Sequence, residues 1–354
     1  MQSLQKLKDL GERKIVNELI VNRFPGVQAN FDDAAIISKS SFNGDIVITT
    51  DPCPKPVACS ILSEDMSLHG EMAVLINVSD LAAMGAKPLG ILISSVMPEE
   101  MSIAEYNAFL DGVDAACQKY DCPLIGGNIK DGAEFSVSAT ALGVVKPGAA
   151  LKRSGAREGD LICVLGEMGL FWAAVSAHLC HMELSHQEQA ILNNALLHPT
   201  AKLQEGLFLA SGSYASACMD CSDGVFACLR EISLASDMRL VVERKLLHPN
   251  PIVKQVADTA GIDYANLMFT WGDWPLVCTV KNCHIEHVRH EMERYGCCFT
   301  VIGHVEAGPA EVVVEDNNGR HQMSMELSSE RFSDTSLFSY GLRPYFTKLQ
   351  KTAF

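Results

Sequence analysis

The segment Asn77-Val78-Ser79-Asp80-Leu81-Ala82-Ala83-Met84-Gly85-Ala86 sets one carboxylate inside a run of small and apolar residues with helical character. A charge on a buried helix face is costly unless something compensates it. Any fold for this chain must therefore bring partners to Asp80 from elsewhere in the sequence. We expect a cluster of acids, drawn from distant segments, around divalent metal and the phosphate tail of a nucleotide.

At 354 residues the chain is longer than one hydrophobic core usually serves, so two domains are expected, with the boundary at Pro147-Gly148 (1–148 and 149–354). Lys and Arg total 28 against 43 Asp and Glu, a formal charge of −15, and no basic stripe interleaved with aromatics is present. That balance argues against nucleic acid and against an anionic membrane as partners. An acidic chain meets a polyphosphate through metal ions and backbone N–H groups, because its own carboxylates repel bare phosphate. The thirteen cysteines are odd in number, scattered through hydrophobic runs and follow no signal peptide, which points to reduced thiols in a cytoplasmic protein. The single Cys-x-x-Cys, Cys218 to Cys221, lacks the second pair that a zinc site of this type needs. No apolar run is long and uncharged enough to span a bilayer.

The chain reads as alternating strands and helices. An amphipathic helix is expected before Pro25, then two adjacent acids, Asp32 and Asp33, before a short strand. Asp45 to Asp51 reads as a strand ending in Thr49, Thr50 and Asp51, hard oxygen donors of the kind Mg²⁺ takes. Residues 52–63, with three prolines, read as a loop, and 70–86 as a helix stopped by Gly85. A strand at 90–96, a helix at 102–119 and a strand from Pro123 that ends at Gly126-Gly127-Asn128 follow, then a strand at 134–145. In the second half, Arg153 is a candidate phosphate partner or a surface ion pair. A strand at 161–166 and helices near 168–181, 186–195 and 200–210 lead to Asp220-Cys221-Ser222-Asp223-Gly224. There the acids either stand beside metal, or Ser222 or Asp223 caps the next helix. Residues 236–262 read as a polar stretch, and Trp271 and Trp274 as a base or substrate platform or as core. A helix at 284–294 and strands at 299–305 and 311–314 precede an extended tail over 328–354 with a final packed turn.

The chain has no Walker phosphate loop, no Gly-x-Gly-x-x-Gly, no His-Glu-x-x-His and no nucleophile elbow. Its acidic and glycine motifs do have an order: Asp32-Asp33-Ala34-Ala35, Thr49-Thr50-Asp51, Asn77 to Ala86, Gly126-Gly127, Arg153-Ser154-Gly155-Ala156 and Asp220-x-Ser222-Asp223-Gly224. That order resembles the thiamine-monophosphate kinases, within the PurM-like superfamily of aminoimidazole ribonucleotide synthetase, HypE and selenophosphate synthetase.

The resemblance implies a two-domain α/β fold, with an N-terminal sheet domain that dimerises into a barrel-like interface and a C-terminal layered α/β domain. It implies ATP and Mg²⁺ as cofactors, a small-molecule acceptor and a homodimer. Metal would fall on Asp32 or Asp33, Thr50, Asp51, Asp80, Asp220 and Asp223. The nucleotide would meet Gly126, Gly127, Asn128, Arg153 and Ser222, and Asp80, Asp223 and Arg153 would support phosphoryl transfer. The departures fall on the acceptor side. Asn128 stands where the kinases carry Asp, and Pro52 to Ser60 holds no counterpart of their Val-Glu-Gly-Val-His element. Trp271-Gly272-Asp273-Trp274-Pro275-Leu276 replaces Gly-Glu-Asp-Tyr-Glu-Leu, and Leu110 replaces a Tyr. The expectation is an ATP-dependent kinase-like enzyme with an altered acceptor. Alternatives are ATP-dependent activation of an amide oxygen, as in the synthetase and HypE branches, and a non-catalytic nucleotide-binding protein.

Overall fold

The computed structural model describes residues 6–7, 15–26, 43–324, 326–327 and 341–354. The chain divides into two compact units, one reaching to Ala150 and the other beginning at Leu151, with Ala82–Gly85 grouped with the second.

The first unit is built on a four-stranded sheet of β1 (Asp45–Pro52), β2 (Lys87–Pro98), β3 (Leu124–Gly132) and β4 (Ser136–Val145). The strand order is β1-β4-β2-β3, with β2 and β3 parallel and the other pairs antiparallel. Alternation along β4 buries Val137, Ala139 and Ala141 and exposes Ser136 and Ser138, so one face of the sheet is covered. The buried apolar residues of α2 (Met66–Ala83) and α3 (Ile103–Lys119), among them Val74, Val78, Leu81, Phe109 and Val113, complete this core. Ser102 accepts from the Glu105 amide while the Glu105 carboxylate accepts from the Ser102 amide, which satisfies two donors at the start of α3. On the uncovered face Ile46 and Ile48 stay 41% and 64% exposed.

The second unit holds a seven-stranded sheet: β5 (Asp160–Leu165), β6 (Ala215–Asp220), β7 (Arg239–Glu243), β8 (Leu276–Lys281), β9 (Phe299–Glu306), β10 (Val312–Asp316) and β11 (Gly319–Gln322). Their order is β11-β10-β7-β9-β5-β8-β6, and only β7 and β10 run parallel. The central strands β5 and β8 are almost continuously apolar, as suits strands covered on both faces. The helices are α4 (Leu170–Leu179), α5 (His186–Leu197), α6 (Leu203–Ser211), α7 (Val225–Ser236), α8 (Pro251–Ala260), α9 (Tyr264–Phe269), α10 (Ile285–Arg294) and α11 (Leu342–Lys351).

Several local expectations are corrected. The proline-rich connection after β1 contains a short helix, α1 (Val57–Ile61), for which Pro56 supplies the N-cap backbone. The glycine pair does not end β3: Gly126, Gly127 and Asn128 lie in mid-strand, where the parallel neighbour β2 carries their ladder. The polar stretch over 236–262, to which the sequence assigned no element, contains β7 and α8, the latter opened by the Asn250 side chain accepting from the Ile252 amide. The end of the chain is the helix α11, with Tyr345 and Leu349 buried.

Candidate functional site

Period-two alternation decides which β1 donors can act together. Thr49 and Asp51 share the face of β1 that looks toward α2, and the Thr49 hydroxyl donates to the Asp80 carboxylate. The charge inside the apolar helix thus has a partner from β1, as its setting requires. Thr50 points to the other face. There its hydroxyl donates to the Ala139 carbonyl at 2.9 Å and accepts from Thr140, its cross-strand partner, also at 2.9 Å. Of the two β1 hydroxyls, Thr49 is the one that meets Asp80, on the face that also bears Asp51. Asp32 and Asp33 lie outside the described residues.

Asn128 lies on the uncovered face of the same sheet, next to Ser94 in the β2–β3 register. Because β1 and β3 are the two edges, β4 and β2 separate Asp51 from Asn128 within one chain. Three strand spacings amount to about 14 Å. Gly127 has a packing reason of its own: at φ +155° a Cβ would stand 1.9 Å from the Ile93 carbonyl oxygen.

In the second unit Asp220 is the buried last residue of β6, and Ser222 and Asp223 follow in the turn to α7. Neither caps α7. Gly224 holds that place without a side-chain bond, at φ +93°, where a Cβ would come within 2.9 Å of the Phe269 carbonyl oxygen. The loop carrying Arg153 is fastened by Ser236, whose hydroxyl accepts from the Gly155 and Ala156 amides at 3.1 Å. Arg153 itself is exposed and makes no ion pair among the described residues. Cys218 and Cys221 are buried free thiols, and burial pushes the Cys218 thiol well up.

Asp273 was visible in sequence only as part of a degenerate motif. Its two oxygens accept from the Gly169 amide at 2.6 Å and the Phe171 amide at 2.8 Å, at the N-terminus of α4. Burial raises its pKa to about 7 in spite of these amides and of Lys202, with Glu167 pushing the same way as burial. The carboxyl lines a cavity of about 450 Å³, together with Glu167, Asn194, His198, Thr200 and Lys202. Trp271 is half-buried and packs in an aromatic cluster: its ring lies 5.3 Å from that of Trp172 and 5.5 Å from that of Phe171.

A four-stranded sheet unit followed by a seven-stranded α/β unit, each with carboxylates at strand ends, defines a PurM-like two-domain α/β protein. Residues 31–145 match the N-terminal domain and residues 157–316 the C-terminal domain of AIR synthase related proteins, and the chain belongs to that family. It is 30% identical over 246 residues to a thiamine-monophosphate kinase of Synechococcus elongatus, covering 68% of this chain and 74% of the relative. A solved structure of AaThiL complexed with AMPPCP and TMP superposes with a TM-score of 0.65 at 25% identity, covering 88% of this chain and 95% of the other. The fold is shared with the hydrogenase maturation protein HypE solved in complex with ATP, at a TM-score of 0.73 and 17% identity, over 91% of this chain and 98% of that one. Among the described residues no helix is long and apolar enough to cross a membrane.

Proposed function

We propose that this chain is an ATP- and Mg²⁺-dependent phosphotransferase that acts on a small-molecule acceptor other than that of the thiamine-monophosphate kinases it resembles. The carrying observation is the placement of the Asp80 carboxylate, inside an apolar helix, against the Thr49 hydroxyl on the β1 face that also bears Asp51. Two carboxylates and a hydroxyl facing one space are hard oxygen donors, a set that fits Mg²⁺.

In this reading Asp51 and Asp80 of the first unit hold metal, with Thr49 orienting Asp80, and Asp32 or Asp33 is a further donor from the same unit. Asp220 and Asp223 form the carboxylate set of the second unit. Gly126, Gly127 and Asn128 on the first unit, and Arg153 and Ser222 on the second, are the proposed nucleotide contacts. When bound, Mg²⁺ offsets charge on the transferred phosphoryl group and on the leaving diphosphate. The side chains act as ligands and positioning groups, and Arg153 is the cation of the set. The acceptor-side departures, Asn128, the α1 segment and Trp274, support a changed acceptor.

The uncovered face of the same sheet supports a homodimer in this reading. Ile46, Ile48, Leu142 and Val144 lie together on its uncovered face, by the β1–β4 register. Asp51 and Asn128 stand on opposite edges of the sheet in one chain, and of the two only Asn128 lies on the uncovered face that a second copy would meet.

Isothermal titration with a Mg²⁺-bound, non-hydrolysable ATP analogue tests the nucleotide half, with Asp80→Asn and Asp223→Asn as controls. Equal heats for all three proteins would sink it. A coupled assay with thiamine monophosphate should show little turnover, and robust diphosphate formation would overturn the changed acceptor. Release of free phosphate with a dehydrated product would redirect the reading to amide-oxygen activation.

A further inference from the structure

The connection between β1 and α2 carries a second constellation, independent of the nucleotide reading. The Cys59 thiol on α1, the Glu64 carboxylate in the following loop and the His69 imidazole in the first turns of α2 place one ligand atom each within 4.8 Å of one another. The residues are spaced by five, so three local donors converge without any long-range crossing.

His69 is the pointed observation. It is 6% exposed, and its Nε2 has no hydrogen-bond partner. The nearest acceptor, Glu64 Oε1, is 3.6 Å away, beyond hydrogen-bond reach. A buried ring nitrogen left without a partner is costly, and edge-on packing against Phe135, at 5.2 Å and 86°, fixes the ring that carries it.

Glu64 has two different oxygens. Oε2 accepts from Lys55 Nζ at 2.6 Å, while Oε1 is the one facing His69. The carboxylate can thus serve as a monodentate ligand with Lys55 orienting it from behind, the arrangement in which an outer partner fixes a metal ligand. The Cys59 thiol rests 3.6 Å from the Asp65 carbonyl, a weak contact that it can give up. The Cys53 thiol, just beyond β1, lies 3.8 Å from the His69 carbonyl.

We propose that Cys59, Glu64 and His69 form a binding site for a thiophilic divalent cation of the zinc class, with water or an external donor in the fourth position. One thiolate, one imidazole and one carboxylate suit Zn²⁺ in a tetrahedral arrangement and suit Mg²⁺ poorly, which separates this site from the all-oxygen set at Asp51 and Asp80. Binding forms the sulfur–metal bond, breaks the Cys59 S–H bond and releases that proton to solvent. The ion would clip the β1–α2 connection a few residues beyond Asp51.

The test is titration of the purified full-length protein with Co²⁺ as a spectroscopic stand-in for Zn²⁺, followed by competition with Zn²⁺. One equivalent should produce thiolate-to-cobalt charge-transfer absorption in the near ultraviolet that Zn²⁺ abolishes. Cys59→Ser should lose that band, Glu64→Gln, an exposed and conservative change, should weaken binding at least tenfold, and Asp80→Asn should keep both band and affinity. Circular dichroism of each variant confirms that it is folded. An identical band in Cys59→Ser, or the absence of any band in the folded wild type, would overturn the proposal.

Discussion

The Thr49 hydroxyl donates to the Asp80 carboxylate, joining the second half of β1 to the last turn of α2. Thr49→Val removes an orienting partner and should weaken Mg²⁺ binding about 10- to 100-fold, the usual cost of losing a group behind a ligand. Asp80→Asn removes the ligand charge and should lower ATP turnover further than Thr49→Val does. Thr50→Val, on the opposite face, should leave Mg²⁺ affinity within about twofold, since its hydroxyl is engaged with Ala139 and Thr140. Mg²⁺ titration of the three variants, read by nucleotide turnover, gives the ranking, and equal losses in Thr49→Val and Thr50→Val would contradict this assignment of faces.

What was legible in the sequence depended on whether the deciding contacts were local. The helix over 102–119 could be read because its apolar period and its Ser102–Glu105 cap are written within one segment. The alternating pattern of β4 was equally local. Gly126-Gly127-Asn128 could not be read, because glycines signal a strand end unless a neighbouring strand supplies the ladder, and β2 lies some thirty residues away. The α11 helix was hidden for a related reason: Tyr345 finds its burial against Trp172 and Thr270, which no local pattern shows. At the site, the acids themselves were evident, but choosing between Thr49 and Thr50 required knowing which face of β1 meets α2. The Cys59–Glu64–His69 group went unnoticed because three prolines made its segment read as loop, whereas α1 brings Cys59 within reach of the other two.

Asp273 should give the protein a stability that falls as pH rises. Burial holds its folded pKa near 7, above the ordinary 3.8, so between these values the folded state keeps a proton that the unfolded chain has lost. Raising pH across that window therefore favours unfolding, by an amount on the order of a few kcal/mol, and the effect levels off above about pH 7. Asp273→Asn removes the titration but offers one amide acceptor where two oxygens served Gly169 and Phe171. Urea denaturation at pH 5 and pH 8 should find the variant less stable than wild type at the lower pH, with the difference shrinking or reversing at the higher.

His304 should act in the same pH direction through a different group. It sits between Glu243, 2.9 Å from Nδ1, and Glu306, 3.0 Å from Nε2. Burial pulls its pKa down, but the hydrogen bonds to Glu306 and Glu243 outweigh burial and leave it raised above 6.5. Because the folded value lies above the unfolded one, the stabilisation is complete below about pH 6.5 and is lost as pH rises through the folded value. The partly exposed setting keeps its size at about 1 kcal/mol or less. His304→Gln should therefore cost more stability at pH 6 than at pH 9, as measured by the same denaturation, and it should lose less at both pH values in high salt.

Tyr345 ties α11 to the second unit through its hydroxyl as well as its ring. The hydroxyl donates to the Leu327 carbonyl at 3.0 Å and lies 2.6 Å from the Thr270 hydroxyl, while the ring centroid is 4.7 Å from that of Trp172. Tyr345→Phe keeps the ring but strands two buried partners, which should cost about 1–3 kcal/mol. Tyr345→Ala also loses the packing against Trp172 and opens a cavity, and should cost about 3–5 kcal/mol. Guanidinium denaturation monitored by tryptophan fluorescence reports both, since Trp172 and Trp271 line the same cluster. If Tyr345→Phe were neutral, the hydroxyl bridge would carry no stability and the docking of α11 would rest on its apolar contacts and on the hydrogen bonds of Asn266 to the Leu349 and Thr352 carbonyls and of Gln350 to the Ala260 carbonyl.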